Sequence, residues 1–414
     1  MKLAKYSFGT GDRFGLQGSA QLAAVRQAKE KGLDLAIVWN KSHREHIIVG
    51  TSPEDVRREA DEAVKAAGWQ GSYHVDADHI GLANVDLFLP HSDFFTLDVA
   101  DYIGQPAALQ DIEAFVDTYS NYTGRLEIAG LSGPLFVTAE QVRAIAEKYL
   151  FAVQQAARIY QYLASKKTSG TFITEVSLDE TTEPQSPLEL FFILAAIAEN
   201  GIPAQTIAPK FTGRFNKGVE YQGNVEQFNL EFDQDICVIK EAIRRFGLPE
   251  DLKLSVHSGS DKFAIYPGIR AAVTKHNSGV HVKTAGTTWL EELIGLAESG
   301  DEGLALVKKI YEKAYGRFDE LCGPYASVID IDQDNLDSPE EVNNWDGKRL
   351  AQALRHDQKN PLYNSNIRQL LHVAYKVAAE YGDVYLDLVR KNREVIAHHV
   401  STNLYDRHIK PLFL

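Results

Sequence analysis

Short β-like runs alternate with long helical stretches along most of this chain, and that alternation constrains its fold more than any other feature. Repeated strand–helix units bury both faces of a parallel sheet beneath helices. Eight candidate strands can be read, at residues 5–8, 34–39, 72–76, 94–99, 171–176, 206–209, 252–257 and 280–284, each leading into polar or glycine-bearing residues. The segments between them carry helical patterns. In SPEDVRREADEAVKAAG, Ser52 stands where an N-cap belongs and Pro53 at the first helical position. Eight such units predict an α/β fold, a closed (β/α)8 TIM barrel rather than an open doubly wound sheet.

The chain has 414 residues, more than the ~250 of a typical barrel. The surplus falls in two places: a mostly helical insertion at 102–170, and a C-terminal helical extension at 331–414 beyond a barrel domain of 1–330. Residues 331–345 are acidic and loop-like. RQLLHVAYKVAAEYGDVYLDLVRKNREVIAHHV then sets apolar residues at helical spacing, so the extension should pack on the barrel. In that region Arg355, His356 and the stretch from Arg368 to His372 are expected in a packed helical cap.

The formal charge of −14 excludes nucleic acid as an expected partner, because phosphate neutralisation needs a basic surface. It leaves small anions open, since local Lys and Arg can dominate one cleft. Apolar runs stay short of the roughly 18 residues of a membrane span, and the N-terminus has no signal-peptide pattern. Two cysteines, Cys237 and Cys322, make neither a disulfide framework nor a cysteine zinc cluster. A cytoplasmic enzyme acting on a small molecule is the expectation; the sequence leaves its assembly into oligomers open.

In a barrel of this type catalytic groups gather at the C-terminal strand ends. The polar residues of this chain gather there too. The second strand leads to Asn40, Lys41 and His43, the third to His74, Asp76, Asp78 and His79, and the fourth to Asp98. The fifth gives Glu175, the sixth Lys210, the seventh His257-Ser258-Gly259-Ser260, and the eighth His281 and Lys283. Side chains alternate faces along a strand, so Val280 and Val282 oppose His281 and Lys283, while Tyr73, Val75 and Ala77 oppose His74, Asp76 and Asp78. With the apolar face toward the helices, several ionisable groups point into the barrel mouth, where a metal ion or a substrate would neutralise them.

His257 and His281 end adjacent strands about 4.8 Å apart, close enough to share an ion. His79 and Glu175 complete the expected ligand set. Histidines with a carboxylate and an open position suit Zn²⁺ first, and also Mn²⁺, Co²⁺ or Ni²⁺. Asp76 and His74 are equally open to a supporting role behind the ligands. Gly9, Gly11 and Gly15 imitate a dinucleotide fingerprint, but Asn40 stands where its acidic residue should end the second strand, so no nucleotide cofactor is expected.

Two resemblances sharpen this reading. Asp78-His79 and His257-Ser258-Gly259-Ser260 resemble motifs of the class II fructose-bisphosphate aldolases, where an Asp-His pair supplies a base and a metal ligand and a similar Ser-bearing loop supplies another ligand and binds the substrate's anionic end. This chain departs from that family at Lys210, where the aldolases carry a further histidine ligand. Across most of its length the chain is similar to the tagaturonate epimerases, through GTGDRFG, VWNKSHREHIIVGTSPEDVR, HVDADHIGLANVD, PKFTGRFNKGVEYQG, VHSGSDKFAIYPGI and HVKTAGTTWLEE. That resemblance implies interconversion of D-tagaturonate and D-fructuronate, or of the neutral pair D-fructose and D-tagatose. The inverted carbon lies β to the ketone, so its C–H is not acidic, and retro-aldol cleavage followed by re-addition on the other face is the expected route. Asp78 is the expected base and Lys210 the group that steadies negative charge or carries protons. Asp12, Arg13, Lys41, Ser258, Lys262 and Lys283 are the expected substrate-binding residues. Two rivals stay open: a Schiff-base aldolase or epimerase using Lys210 as nucleophile, and a sugar-binding barrel without turnover.

Overall fold

The structure, a computed structural model, describes residues 1–168, 170–284 and 286–414. Eight parallel strands close into a barrel: Tyr6–Gly11, Leu35–Ser42, Tyr73–Ile80, Phe94–Asp98, Ile173–Ser177, Thr206–Ala208, Lys253–His257 and Val280–Thr284. The first strand pairs with both the second and the eighth, which shuts the ring. All eight expected strands are present. The first three run further toward the mouth than their apolar alternation suggests, because backbone pairing continues where polar side chains take over.

Helices follow the strands on the outside. Ser52 stands at the N-cap of Pro53–Ala67, its N–H donating to the Asp55 carboxylate at 2.7 Å, and Gly68 ends that helix in the left-handed region. Ser186 and Glu189 make the same box ahead of Pro187–Glu199. The insertion after the fourth strand contains the helix Leu109–Thr118 and leads into the long helix Ala139–Lys166; it also carries an unexpected antiparallel hairpin, Gly124–Leu126 with Leu135–Val137.

Strand parity divides the barrel into two faces, as expected for the third strand. Ile37, Trp39, Val75 and Ala77 pack outward into the main core, whereas Leu3, Ala36, Val38, Phe94 and Ile173 form a separate apolar plug that seals the barrel's interior floor. Above this plug the interior turns polar.

The eighth helix, Thr287–Glu298, is buried at every position from 287 to 297. A helix surrounded on all sides needs a second layer, and the C-terminal helices supply it. Arg393–Thr402 lies across both Thr287–Glu298 and Gly18–Glu30, and a Cβ at Gly295 would fall 2.6 Å from Ile396 Cγ1. Past the eighth unit further helices begin at Asp301–Gly316, ahead of the expected boundary at 331. Among the described residues no helix is long and apolar enough to cross a membrane.

Candidate active site

At the middle of the barrel Lys283 gathers three carboxylates. Its Nζ lies 2.7 Å from Asp76, 2.9 Å from Glu175 and 3.1 Å from Asp78, and it donates to Thr96 Oγ1 at 2.5 Å. Gly9 makes room for this meeting: a Cβ there would come 2.9 Å from both Asn40 Nδ2 and Lys283 Cγ. One cation cannot neutralise three anions. Burial, with repulsion from Asp78 and Glu175, pushes Asp76 up to about 7 against the pull of Lys283. Burial also opposes the charges on Asp78 and Glu175, but Lys283 and the neighbouring imidazoles outweigh it and hold both carboxyls far below their usual range.

Above this layer stand His79 and His257, ring centroids 5.3 Å apart. Simple alternation would send His79 outward, since Asp78 before it points in. A bulge shifts the pairing between Ala77 and Ile80, and His79 takes a φ of 55°, a conformation that non-glycine residues seldom adopt. The local twist turns both Asp78 and His79 into the mouth. Backbone strain of this kind, held by the surrounding sheet, is typical of functional positions.

Each imidazole is braced from behind by a carboxylate. Asp78 Oδ1 lies 2.9 Å from His79 Nδ1, and Glu175 Oε1 lies 2.8 Å from His257 Nε2. The remaining nitrogens, His79 Nε2 and His257 Nδ1, are buried without a well-formed hydrogen bond and face Asp179 Oδ1 at 3.7 and 3.1 Å. These three donors all lie within 4.8 Å of one another. A tetrahedral ion bound at about 2.0–2.1 Å needs donors about 3.3 Å apart, a spacing the two measured distances bracket. The residues therefore fit a divalent cation. The acidic surroundings agree: although burial opposes charge, Asp179 with Glu175 lifts His257 to about 9, and Asp78 with Asp179 lifts His79 well above its ordinary value. Groups that hold a proton on each ring would hold a cation in its place.

The four expected ligands are not brought together: His79 and His257 meet with Asp179, while Glu175 and His281 lie outside that group. Glu175 supports His257 instead of pointing at the ion position. His281 pairs in register with Ser255, one layer below His257, which is level with Lys283. There it bonds Ser7 Oγ at 2.9 Å, and burial drives its imidazole down to about 3. His257 and His281 thus end adjacent strands but lie in different layers of the barrel. Asp179 went unread because it lies in the loop past Ser177, although Glu175, Ser177 and Asp179 continue one alternation.

Most of the expected substrate-binding residues are engaged elsewhere. Asp12 accepts four backbone N–H groups, from Phe14 to Gln17, and so folds the first loop. Parity turns Lys41 outward, where it donates to Arg13 O at 2.8 Å and lines a small cavity of about 120 Å³ with Phe14, Asp55 and Glu59. Ser258 donates to Lys283 O at 2.7 Å, and Lys262 is wholly buried, its ammonium bonded to Asn216 O, Val219 O and Ser260 Oγ. Lys283 is the counter-ion described above. Arg13 remains at the mouth, paired with Glu45 and stacked 4.4 Å from the Tyr375 ring centre. Lys210 follows the sixth strand half-buried; its backbone N–H donates to Gln185 at 2.7 Å, and its ammonium has no hydrogen-bond partner among the described residues.

A parallel closed barrel with a carboxylate–imidazole centre at its mouth defines a barrel enzyme equipped for proton transfer. The sequence matches the tagaturonate epimerase family, UxaE, over residues 1–412. The chain belongs to that family and is an isomerase, a carbohydrate epimerase. It is 30% identical over 398 residues, 94% of this chain and 75% of the relative, to the tagaturonate/fructuronate epimerase of Thermotoga maritima. The glycerol-complexed crystal structures of fructuronate-tagaturonate epimerase UxaE from Cohnella laeviribosi share its fold: both superpose with a TM-score of 0.82 at 22% identity, covering all of this chain and 82% or 83% of theirs.

Proposed function

We propose that this epimerase interconverts D-tagaturonate and D-fructuronate by divalent-cation-dependent retro-aldol and aldol chemistry. The observation that carries the reading is the pair of orphaned, inward-facing nitrogens on His79 and His257, each braced by a carboxylate and both aimed at Asp179. The substrate pair follows the name of the Thermotoga maritima relative. His79, His257 and Asp179 would hold the cation, which supplies Lewis acidity to the ketone when bound.

The chain's own residues do the rest. Asp78 Oδ2 carries no hydrogen bond from the described residues, whereas Oδ1 is committed to His79 and Lys283. Oδ2 takes the proton from the hydroxyl on the carbon β to the ketone. The bond between that carbon and its α neighbour then breaks, its electron pair passing toward the ketone, and the β carbon becomes an aldehyde. The aldehyde turns its other face, the bond re-forms, and Asp78 returns the proton to the new alkoxide. Lys283 keeps Asp78 ionised until that proton arrives, and favours its return. Lys210, beside the mouth, is assigned the lesser task of steadying negative charge. An imine route through Lys210 is less favoured, because such a nucleophile needs desolvation and Lys210 is only half-buried, whereas the inward-facing buried lysine Lys283 is fixed by three carboxylates.

Metal analysis of the purified protein, joined to chromatographic epimer assays on both uronates and on D-fructose and D-tagatose, tests the proposal. A stoichiometric divalent ion is expected, lost in His79→Ala, His257→Ala and Asp179→Ala. Asp78→Asn should keep the ion, because its amide oxygen still faces His79, yet lose turnover. Activity that survives chelation and is trapped by borohydride would instead establish the imine route.

A further inference from the structure

The geometry points to a carboxylate-binding corner at the barrel mouth, formed by Arg44 and Lys217 with Arg13 beside them, that receives the acid end of a hexuronate and selects it over a neutral ketose. The inference rests on the epimerase reading above and adds the group that decides substrate class.

The protein carries a formal charge of −14, yet three cations converge here. Arg13 comes from the loop after the first strand, Arg44 from the short helix His43–Val49 after the second, and Lys217 from the loop after the sixth. All three follow C-terminal strand ends, on the same face as His79 and His257. Two tyrosines of the C-terminal region draw them together. The Arg44 guanidinium lies 5.0 Å from the Tyr325 ring centre and Lys217 Nζ 5.4 Å from the same ring; Arg13 stacks on Tyr375, whose hydroxyl is 3.0 Å from that of Tyr325.

Of the three, Arg13 has Glu45 as a partner. Neither the Arg44 guanidinium nor the Lys217 ammonium makes an ion pair or hydrogen bond among the described residues. His372 lies against the cluster, 1% exposed, with both ring nitrogens unpartnered. Gly286, with φ of 88°, allows its approach: a Cβ there would come 2.5 Å from His372 Nε2 and 3.2 Å from an Arg13 guanidinium nitrogen.

Crowding of like charges costs free energy until an anion arrives. Burial, followed by the nearby charges of Arg13 and Arg44, pushes the Lys217 ammonium down to about 8. The charges of Glu180 and Asp78 act on Lys217 in the opposite sense, and Asp78 is itself a member of the carboxylate–imidazole centre. A carboxylate suits the corner, since a guanidinium fork and an ammonium supply several donors to two oxygens. A neutral hydroxymethyl group would bring those cations no counter-charge, and that difference is what creates selectivity.

Steady-state kinetics of Arg44→Gln, Lys217→Gln and Lys217→Arg on D-tagaturonate and D-fructose test this. Each Gln variant should lower uronate kcat/KM by about ten- to a hundred-fold, the worth of a hydrogen bond to a charged group. The loss should fall on KM more than on kcat and exceed any loss with fructose, and Lys217→Arg should recover part of it. Unmoved KM values, or equal losses on both substrates, would overturn the inference while leaving the epimerase reading intact. Should the wild type epimerise neither substrate, that reading fails by itself, and calorimetric titration with D-galacturonate decides the corner: binding weakened in the Gln variants supports it, and absent or unchanged binding overturns it. Tighter binding of D-tagatose 6-phosphate than of the uronate would also overturn the carboxylate assignment.

Discussion

Lys283 shows how much one side chain can hold in place. Its ammonium faces Asp76, Asp78 and Glu175 in a space closed by the apolar plug beneath. Removing one partner of a buried ionic group costs about 3–5 kcal/mol, because the charges left behind have no water to turn to. Lys283→Met should therefore lower the unfolding free energy by about that amount in urea titrations, with activity lost. A neutral Lys283→Met effect would mean that water or another cation already serves these carboxylates. At this scale much was legible in the sequence. Parity alone put His74, Asp76, Asp78, His257, His281 and Lys283 on the inner face. It could not give height within the barrel, which placed His281 a layer too high, nor foresee the bulge that turns His79 inward.

Elements are joined across the mouth by Asp261, in the loop that follows His257. Its carboxylate is wholly buried and meets Arg368 at 2.8 Å, His408 at 2.9 Å and His356 at 3.2 Å, so three segments of the C-terminal extension grip one barrel loop. Burial opposes its charge, but Arg368 and the two histidines hold its carboxyl well below the usual range. A carboxyl depressed by folding adds stability above its unfolded value of about 3.9, and that contribution fades as pH falls toward the folded value. Asp261→Asn should accordingly destabilise the protein by about 3–5 kcal/mol at pH 7. The gap from wild type should narrow in urea titrations below about pH 4. A gap constant from pH 7 to 3 would show that ionisation of Asp261 is not its source. The sequence marked His356 and Arg368 only as members of a helical cap; their common target lies about a hundred residues away, and no local spacing encodes it.

At the scale of the whole molecule, the extension packs directly on the barrel. Thr287–Glu298 is enclosed on all sides, Gly347 packs directly on the backbone of Ala297, and Tyr266 is hydrogen-bonded at 2.6 Å to His408, near the chain's end. Ending the chain at residue 330 would expose the apolar surface of that helix and strip Asp261 of its partners. Such a truncation should give aggregated protein without native near-ultraviolet circular dichroism; a soluble, natively folded 1–330 fragment would show that the barrel stands alone. The sequence by itself determined the eight strand–helix units, the inward faces of the third, seventh and eighth strands and the family, because alternation, caps and motifs are local or linear properties. Only the tertiary structure decided which inward groups meet, since register, one bulge and the packing of distant helices set heights and distances. Asp179, Lys217 and the Asp261 grip exist as partners only once the ring has closed.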